Sequence, residues 1–533
     1  MPPDRRISSG RAHRRWFYFA VAIALTITAC GGNARAPSRN PAHTGNPRAT
    51  GGGRVASGHP RPAGRVDPVT VRAAVPGTVR TALPKSFLGL SMEYWDLPAF
   101  HSRPAVLDRV LSLLHVPGDG PLLLRVGGDS ADQAYWGRHP SLRLGPWPYH
   151  LTGGWLHTLA EVVRSAHVRA MLDLNLAARS PAMAAHFARA ALRTLPRGSL
   201  TGFEIGNEPD IYHHWVNYHM TGRAGLLTSS GEWDQFSPAR YVEGFAAYAR
   251  ALARVAPNLP LAGPATARPL RDIAWERRLL TTERSRVGMV TIHRYPLTAC
   301  AHRNARNFST VARVLSTRIA AGLGLVVAPA LALARQAGLP ARLTELNSVT
   351  CGGRRGVSNT FASALWAPDA LFSLWKAGLA GANIHVRQGA ANAAFWMSRR
   401  GLRARPLLYG LALFARALGH RGQLAHLRVA RSSPSVRLWA VRNGRRLNLL
   451  VLDKGPHPAH LVLRIGSRGP ALIQRLSAPS VEATTGVRLA GQTLAASGRW
   501  VGRRTTSRVA RGSGRRYRLR VAAYSAALIS FRL

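Results

Sequence analysis

Short apolar runs alternate with longer amphipathic stretches over most of the chain, and this alternation limits the possible fold more than any other feature. Segments such as 238–255 and 309–337 carry apolar residues at helical spacing. Eight runs between them have the composition of buried strands: 87–94, 122–128, 169–176, 203–208, 259–265, 287–295, 341–347 and 382–387. This order predicts an α/β fold, a (β/α)8 TIM barrel over residues 86–420. An open doubly wound sheet fits less well, because no Gly-x-Gly-x-x-Gly turn follows the first run.

The pattern changes after Gly419, where strand-like runs follow one another with only turn residues between them. These runs are 424–429, 435–441, 447–452, 460–464, 471–476 and 517–531. They predict a small C-terminal antiparallel β-sandwich over residues 421–533. The segment 67–85, ahead of the first barrel strand, has similar β character, and we expect it to join the sandwich.

The N-terminus has the pattern of an export signal. An arginine-rich start precedes an apolar stretch, 16–29, which is shorter than the roughly 20 residues that a membrane-spanning helix needs. The stretch ends at Thr28-Ala29-Cys30-Gly31, which resembles the lipobox of bacterial lipoproteins and implies cleavage before Cys30 and a lipid on its sulfur. An ordinary cleaved signal with an incidental cysteine is the alternative. We therefore expect residues 1–30 to direct export, to the outer face of the cell membrane as a lipoprotein or to the medium.

The rest of the chain bears on this anchor in two ways. Residues 31–66 are rich in Gly, Pro, Arg and Ser without apolar periodicity, which is typical of a flexible tether. No later segment is expected to span a membrane. A cell membrane, reached through the lipid, is thus one predicted partner.

Charge composition first suggests a nucleic-acid partner, but its distribution argues against one. The 533 residues include 73 Lys plus Arg and 23 Asp plus Glu, a net charge of +50. Only Lys85, Lys376 and Lys454 are lysines, and the arginines are scattered among alanines and leucines rather than gathered in a basic tract. We expect no nucleic-acid partner, although the charge could steer acidic glycans towards the protein.

Because acidic residues are scarce, two glutamates at strand ends stand out. Glu208 closes the fourth predicted strand, just before Pro209, and Glu345 lies on the seventh. The fourth and seventh strands lie on opposite sides of an eight-stranded ring, so the two side chains can face each other across its mouth. Two facing carboxyls about 5–5.5 Å apart suit retaining glycoside hydrolysis. Capping or salt-bridging roles are the alternative.

The residues around both glutamates resemble a known family. Gly206-Asn207-Glu208-Pro209 resembles the acid/base motif of glycosidases with catalytic glutamates on strands four and seven. The segments 345–353 and 358–362 resemble the nucleophile region of glycoside hydrolase family 79, which contains heparanases and microbial β-glucuronidases. The resemblance implies that Glu208 is the acid/base and Glu345 the nucleophile.

The same resemblance implies roles in substrate binding. Asn207 matches the residue that hydrogen-bonds the sugar 2-hydroxyl, and Tyr295 matches the tyrosine beside the nucleophile. Asp132 falls where the family has an aspartate that contacts sugar hydroxyls; loop capping is its alternative. Gly352 and Gly353 resemble the glycine pair whose N–H groups hold the uronate carboxylate, and a plain turn is the alternative.

The eighth strand departs from the family. A tyrosine that helps to bind the carboxylate commonly follows it; here the segment 384–395 contains none, and Asn392 is the nearest polar substitute. Arg387 could pair with a carboxylate or simply be solvated. We expect a retaining β-glycosidase that acts on a glycan or glycoside, most simply an exo-β-glucuronidase. A hydrolase of a neutral β-glycoside and a non-catalytic cell-envelope carbohydrate-binding protein are the alternatives.

The cysteines complete the list of candidate residues. Cys300 follows the loop after Tyr295 and Cys351 follows Glu345, so a disulfide could join two neighbouring loops; free thiols are the alternative. No His, Cys and Asp cluster has convincing metal-ligand spacing, and we predict no metal and no cofactor.

Overall fold

Eight parallel strands close into a barrel in the computed structural model of the protein. The barrel strands are β1 (Leu88–Glu93), β2 (Leu123–Gly127), β3 (Arg169–Leu174), β4 (Leu200–Ile205), β5 (Leu261–Thr266), β6 (Val287–Arg294), β7 (Ala341–Leu346) and β8 (Gly381–Val386). Each pairs with the next in chain order, and β8 pairs with β1 to close the ring. The TIM barrel predicted from the apolar runs is confirmed, although β4 ends at Ile205, so that Glu208 follows the strand rather than closing it.

The structure describes residues 69–74, 80–137, 149–212, 236–431, 433–467 and 469–533. The predicted signal segment with Cys30, and the tether 31–66, lie outside these residues. They remain predictions from the sequence.

Helices surround the barrel. They are α1 (Leu97–Phe100), α2 (Pro104–Leu114), α3 (Gly153–Ser165), α4 (Pro181–Thr194), α5 (Pro238–Ala253), α6 (Ala274–Glu283), α7 (Val311–Leu315), α8 (Thr317–Gln336), α9 (Phe361–Ala377) and α10 (Pro406–Leu418). Hydroxyl side chains begin several of them: the oxygens of Thr152, Ser180 and Ser237 accept the N–H of the third helical residue. Proline at the first turn of α4 and α5 supports the same starts.

Helix α8 is longer and more apolar than the sequence analysis expected of any segment after the N-terminus. By length and composition alone it could cross a membrane, with a mean hydropathy of 1.7 over 18 residues, a third of which is buried. In the structure it lies between β6 and β7 and packs against α9, and its buried residues recur every three or four positions. Leu325 on its outer face is 78% exposed. Its place in the ring makes it a barrel helix.

Two facing sheets follow the barrel. One consists of Arg80–Ala82, Gln423–Ala425, Val436–Asn443, Arg446–Asp453, Ser525–Arg532, Ala471–Ser477 and Arg488–Leu489, with Ser507–Val509 paired to Ala471–Ser477. The other consists of Arg428–Arg431, Val69–Ala74, Ala459–Arg464 and Arg516–Val521. The segment before the barrel thus contributes a strand to each sheet, and Val69–Ala74 pairs in parallel with Ala459–Arg464.

The predicted single strand 517–531 is wrong. It is two strands, Arg516–Val521 and Ser525–Arg532, which belong to different sheets. The turn between them includes Tyr524 at φ +47°. Aliphatic residues on both sides of this turn hid it, because they pack into the sandwich core from both strands.

The inside of the barrel changes from apolar to charged along its axis. A small apolar layer, formed by Leu123, Met171 and Ala262 with Met289 against it, fills one end. Towards the carboxyl ends of the strands, Arg125 on β2 is fully buried and donates to carboxylates on β3, β4 and β7. A charged network inside a barrel must be satisfied by its own members, so it fixes the side chains above it.

Candidate active site

A cavity of about 610 Å³ opens at the carboxyl ends of the barrel strands. This is the end of the barrel where loops and strand ends bring reactive side chains together. Its described lining combines acidic, basic and aromatic groups: Asp129, Glu208, Ile211, Tyr295, Cys300, Glu345, Thr350, Cys351, Gly352, His385, Arg387, Gln388, Ala390 and Asn392.

Glu208 is held in an unusual backbone conformation just after β4. It has φ +48° and ψ +51°, a left-handed conformation that is uncommon for residues other than glycine and persists only when the surrounding structure holds it. Its N–H donates to the Ala265 carbonyl at 3.2 Å, and Pro209 begins a short 3-10 turn immediately afterwards. The carboxyl meets His293 Nδ1 at 3.0 Å, and the side chain is 16% exposed, which leaves an edge accessible from the cavity.

Glu345 lies near the end of β7 and is held from both of its oxygens. The Tyr295 hydroxyl donates to Oε1, and His385 Nδ1 lies 3.5 Å from the same oxygen. Arg125 Nη1 donates to Oε2 at 3.2 Å. The structure thus brings Tyr295 to the position that the sequence predicts, while the two cationic partners were not predicted.

The two glutamates lie close together and favour opposite protonation states. An oxygen of Glu208 and an oxygen of Glu345 are within 4.8 Å of each other. Burial, and then the negative charge of Glu345, raise the pKa of Glu208 well above its usual range. Burial alone would raise the pKa of Glu345 as well, but the positive charges of His385, of His293 in its protonated form and of Arg125 lower it to about 2. The surroundings therefore favour the protonated form of Glu208 and the ionised form of Glu345.

His293 stays neutral beside this arrangement. Burial lowers its pKa to about 4, so it adds no positive charge at pH 7. Its contact with Glu208 at 3.0 Å is then a hydrogen bond rather than an ion pair.

Arg125 is the centre of a network that the sequence analysis missed. It donates from Nε to Glu204 at 2.7 Å, and from Nη2 to Asp173 at 2.8 Å and to Asn207 at 2.9 Å, besides its bond to Glu345. The nearby carboxylates raise its pKa, although burial opposes them. Its signal was an arginine inside the apolar run 122–126, where a charge must have buried partners.

His385 and Glu93 were missed as well. They lie on the neighbouring strands β8 and β1, and His385 Nε2 is 3.3 Å from Glu93 Oε1. Burial opposes the charge of His385, but Glu345 and Glu93 raise its pKa to about 9. The signal for both was a polar residue at an inward position of an apolar strand.

Asn207 and Asp132 are both buried, but their hydrogen-bond partners differ. Asn207 is buried beside Glu208, and its Oδ1 is fixed by Arg125, so its binding to the 2-hydroxyl remains a prediction. Asp132 is 1% exposed, and its oxygens accept the Tyr212 hydroxyl and the N–H groups of Leu176, Ala177 and Asn207. The predicted sugar contact of Asp132 is therefore replaced by its alternative, the fixing of a loop, because these donors already occupy the carboxylate.

The donors predicted for a uronate carboxylate are partly occupied. Gly352 lines the cavity at φ +70°, but the Gly353 N–H donates to the Thr350 carbonyl at 3.1 Å within a turn. Asn392 reaches the cavity, yet its Nδ2 donates to the Val349 carbonyl at 2.7 Å. The turn thus uses the Gly353 N–H, which corrects its predicted role, whereas the fold uses one of the two Nδ2 hydrogens of Asn392, whose contact with the substrate stays a prediction.

Cys300 and Cys351 form a disulfide. It joins the loops after β6 and β7, and both residues lie in the cavity wall. Of the two alternatives left by the sequence, the structure has the bridge.

Three of these side chains also have the atom types of a metal-ligand group, which the sequence did not predict. They are Glu208, His293 and Glu345, with potential ligand atoms within 4.8 Å of one another. Arg125 and His385 already lie against Glu345, and they would repel a cation placed there. The charge balance thus argues against a metal ion.

Solved structures share this fold, a barrel with an associated β-sandwich. A 4-O-α-L-rhamnosyl-β-D-glucuronidase from Fusarium oxysporum is 17% identical, with a TM-score of 0.67 over 87% of this chain and 100% of that chain. A family 51 arabinofuranosidase from Xanthomonas axonopodis is 13% identical, with a TM-score of 0.63 over the same shares. A family 30 xylanase from Clostridium acetobutylicum is 12% identical, with a TM-score of 0.53 over 87% of this chain and 100% of that chain.

At these identities the likeness shows a common architecture, a TIM barrel with an associated β-sandwich. No family model matches the sequence, and no curated protein matches it.

Proposed function

We propose that the protein is a retaining glycoside hydrolase that acts on β-glycosides. The observation that carries this proposal is the approach of Glu208 and Glu345 to within 4.8 Å, in surroundings that favour the protonated form of the first and the ionised form of the second. Retaining enzymes hold their carboxyls about 5–5.5 Å apart, whereas inverting enzymes leave about 6.5–9.5 Å for a water molecule. The neighbours of similar fold are named as glycosidases, which supports the same chemistry.

The geometry supports a double displacement. Glu345 attacks the anomeric carbon while the bond to the leaving oxygen breaks, and Glu208 gives that oxygen its proton. A glycosyl ester of Glu345 results. Glu208, now ionised, takes a proton from water; the water oxygen forms a bond to the anomeric carbon, and Glu345 leaves as a carboxylate. The side chain of Tyr295 holds Glu345 Oε1 in line for both steps.

An acidic sugar, as in an exo-β-glucuronidase, is the substrate class that we favour. Arg387 lines the cavity with its guanidinium 5.8 Å from the Trp95 ring centre and Nη1 3.7 Å from Asp129 Oδ2. A uronate carboxylate can form a closer pair with this arginine than the 3.7 Å contact to Asp129. The rhamnosyl-glucuronidase of similar fold supports the same class.

A neutral β-glycoside is the second candidate. The occupied N–H of Gly353 favours it, because it removes one of the groups expected to bind a carboxylate. A non-catalytic carbohydrate-binding protein is disfavoured by the opposite ionisation of Glu208 and Glu345, which simple binding does not require.

A panel of nitrophenyl glycosides tests the proposal. We expect turnover of the β-glucuronide, its loss in Glu345→Ala, and a rise in KM of at least about tenfold in Arg387→Gln, as expected for loss of a charged hydrogen bond. The exposed Arg189→Gln on α4 is the matched control and should leave KM unchanged. Turnover of neutral glycosides alone would favour the second candidate. No cleavage of any glycoside at any pH would refute the proposal that the protein is a glycoside hydrolase.

We also propose that the chain is exported and anchored through Cys30, on the basis of its lipobox-like sequence. The variant Cys30→Ala should appear in the medium instead of the membrane fraction. Unchanged membrane retention would refute the lipid anchor without affecting the proposed chemistry.

A further inference from the structure

One histidine lies between two carboxylates at the edge of the cavity, and it is outside the double displacement described above. His385 Nε2 is 3.3 Å from Glu93 Oε1, and its Nδ1 is 3.5 Å from Glu345 Oε1. The same Nδ1 lies 2.8 Å from the Tyr295 hydroxyl oxygen, and that hydroxyl donates to Glu345. A neutral imidazole has only one N–H, whereas a carboxylate oxygen lies near each nitrogen of this ring, which favours the doubly protonated, positively charged form.

The order of donors follows from these contacts. With both nitrogens protonated, His385 directs its Nδ1–H at the Tyr295 oxygen, whose own proton goes to Glu345, while Nε2 pairs with Glu93 by charge rather than through an aligned hydrogen bond. The partner Glu93 is itself fixed, because its Oε2 accepts the Ser130 N–H at 2.8 Å.

We propose that His385, anchored by Glu93, is a positioning residue that keeps Glu345 ionised and turned towards the anomeric carbon through Tyr295. The proposal rests on the retaining mechanism assigned above and deepens it. It also gives the tyrosine-free eighth strand a role: this strand supports the nucleophile from behind.

Other charges near Glu345 do not replace this contact. Arg125 bonds to the opposite oxygen, Oε2, so Oε1 depends on Tyr295 and His385. The titratable and charged groups that face His385 and Glu345 come from seven of the eight strands or the loops after them: Glu93 (β1), Arg125 and Asp129 (β2), Asp173 (β3), Glu204 and Glu208 (β4), His293 and Tyr295 (β6), and Arg387 (β8), with Glu345 itself on β7. None of these groups combines a positive charge with a contact to Glu345 Oε1, as His385 does.

The effect of removing this charge has a definite direction. An opposite charge at this distance lowers a carboxyl pKa by about 1–3 units, so the pKa of Glu345 should rise by that amount when His385 is replaced. The acidic limb of the kcat/KM profile should move upward with it, because the nucleophile must be ionised in the free enzyme.

The experiment compares pH profiles of the full-length protein. In His385→Gln we expect the acidic limb to move up by about 1–3 pH units. The exposed His186→Gln on α4 is the matched control. If His385→Gln lowers kcat/KM by one factor at every pH and leaves the limb in place, the residue only packs, and the proposal is overturned.

A second measurement does not depend on turnover. With ¹³C-labelled glutamate, the carboxyl signal of Glu345 is identified by its loss in Glu345→Gln and titrated in wild type and His385→Gln. A raised pKa supports the proposal, and an unchanged pKa overturns it, whether or not any glycoside is cleaved. Failure of the proposed function, seen as an inactive wild type, is thus distinguished from failure of the role of His385.

Discussion

Replacing Glu345 with glutamine should lower the pKa of Glu208, because the charge of Glu345 is the largest cause of its upward shift after burial. Oxygens of the two side chains lie within 4.8 Å, and two unit charges at that limit repel by about 3.5 kcal/mol at an effective dielectric constant of about 20, which equals about 2.5 pKa units. Glu208 is partly exposed, and solvent weakens this repulsion, so we expect a fall of at least about one unit. Burial remains in the variant and keeps the pKa of Glu208 above its usual range.

The assay is a titration of the ¹³C-labelled Glu208 carboxyl in wild type and Glu345→Gln. The sign is fixed: with the neighbouring charge removed, Glu208 loses its proton at a lower pH than in wild type. The exposed Glu243→Gln on α5 serves as the control and should leave the titration unchanged. A fall smaller than about 0.5 unit would refute the electrostatic coupling, and with it the physical basis of the acid/base assignment.

Three further substitutions test the support around the site. Arg125→Met should cost about 3–5 kcal/mol in chemical denaturation by leaving buried carboxylates unpaired, and Arg125→Lys should recover part of the loss. Asp132→Asn should cost about 1–3 kcal/mol with little change in KM, whereas a rise in KM at unchanged stability would restore the sugar contact. Cys300→Ser opens a loop of 51 residues and should lose about 4 kcal/mol on the chain-entropy account; adding Cys351→Ser should cost nothing more, and additive losses would contradict a bridge.

The sequence predicted the barrel well because its signal is local. Each barrel strand is a short apolar run between helices, and every predicted run overlaps an observed strand. Glu208 and Glu345 were also within reach, since their positions at the ends of opposite strands follow from the ring. The strand 517–531 failed for a local reason: apolar residues continue through a turn that Tyr524 makes in a left-handed conformation.

The roles of supporting residues were beyond the sequence, because they depend on partners far away along the chain. Arg125 and Glu345 are separated by 220 residues, and no spacing rule joins them. Asp132 had the right residue type for a sugar contact, but its four donors come from two loops, those after β3 and β4, and fill the carboxylate. His385 was passed over because its meaning comes from Glu93 and Glu345 together, on the two strands beside its own.

The buried guanidinium of Arg125 has a consequence for how the protein can evolve. Its charge is shared among Glu204, Asp173 and Glu345, so loss of the nucleophile alone still leaves it paired with Glu204 at 2.7 Å. A mutation of Glu345 therefore leaves the charge of the barrel interior compensated, and the chain can stay folded. Loss of Arg125, in contrast, leaves the buried carboxylates of Asp173 and Glu204 without their positive partner. Among descendants of this chain, lineages without Glu345 should be viable and lineages without Arg125 rare.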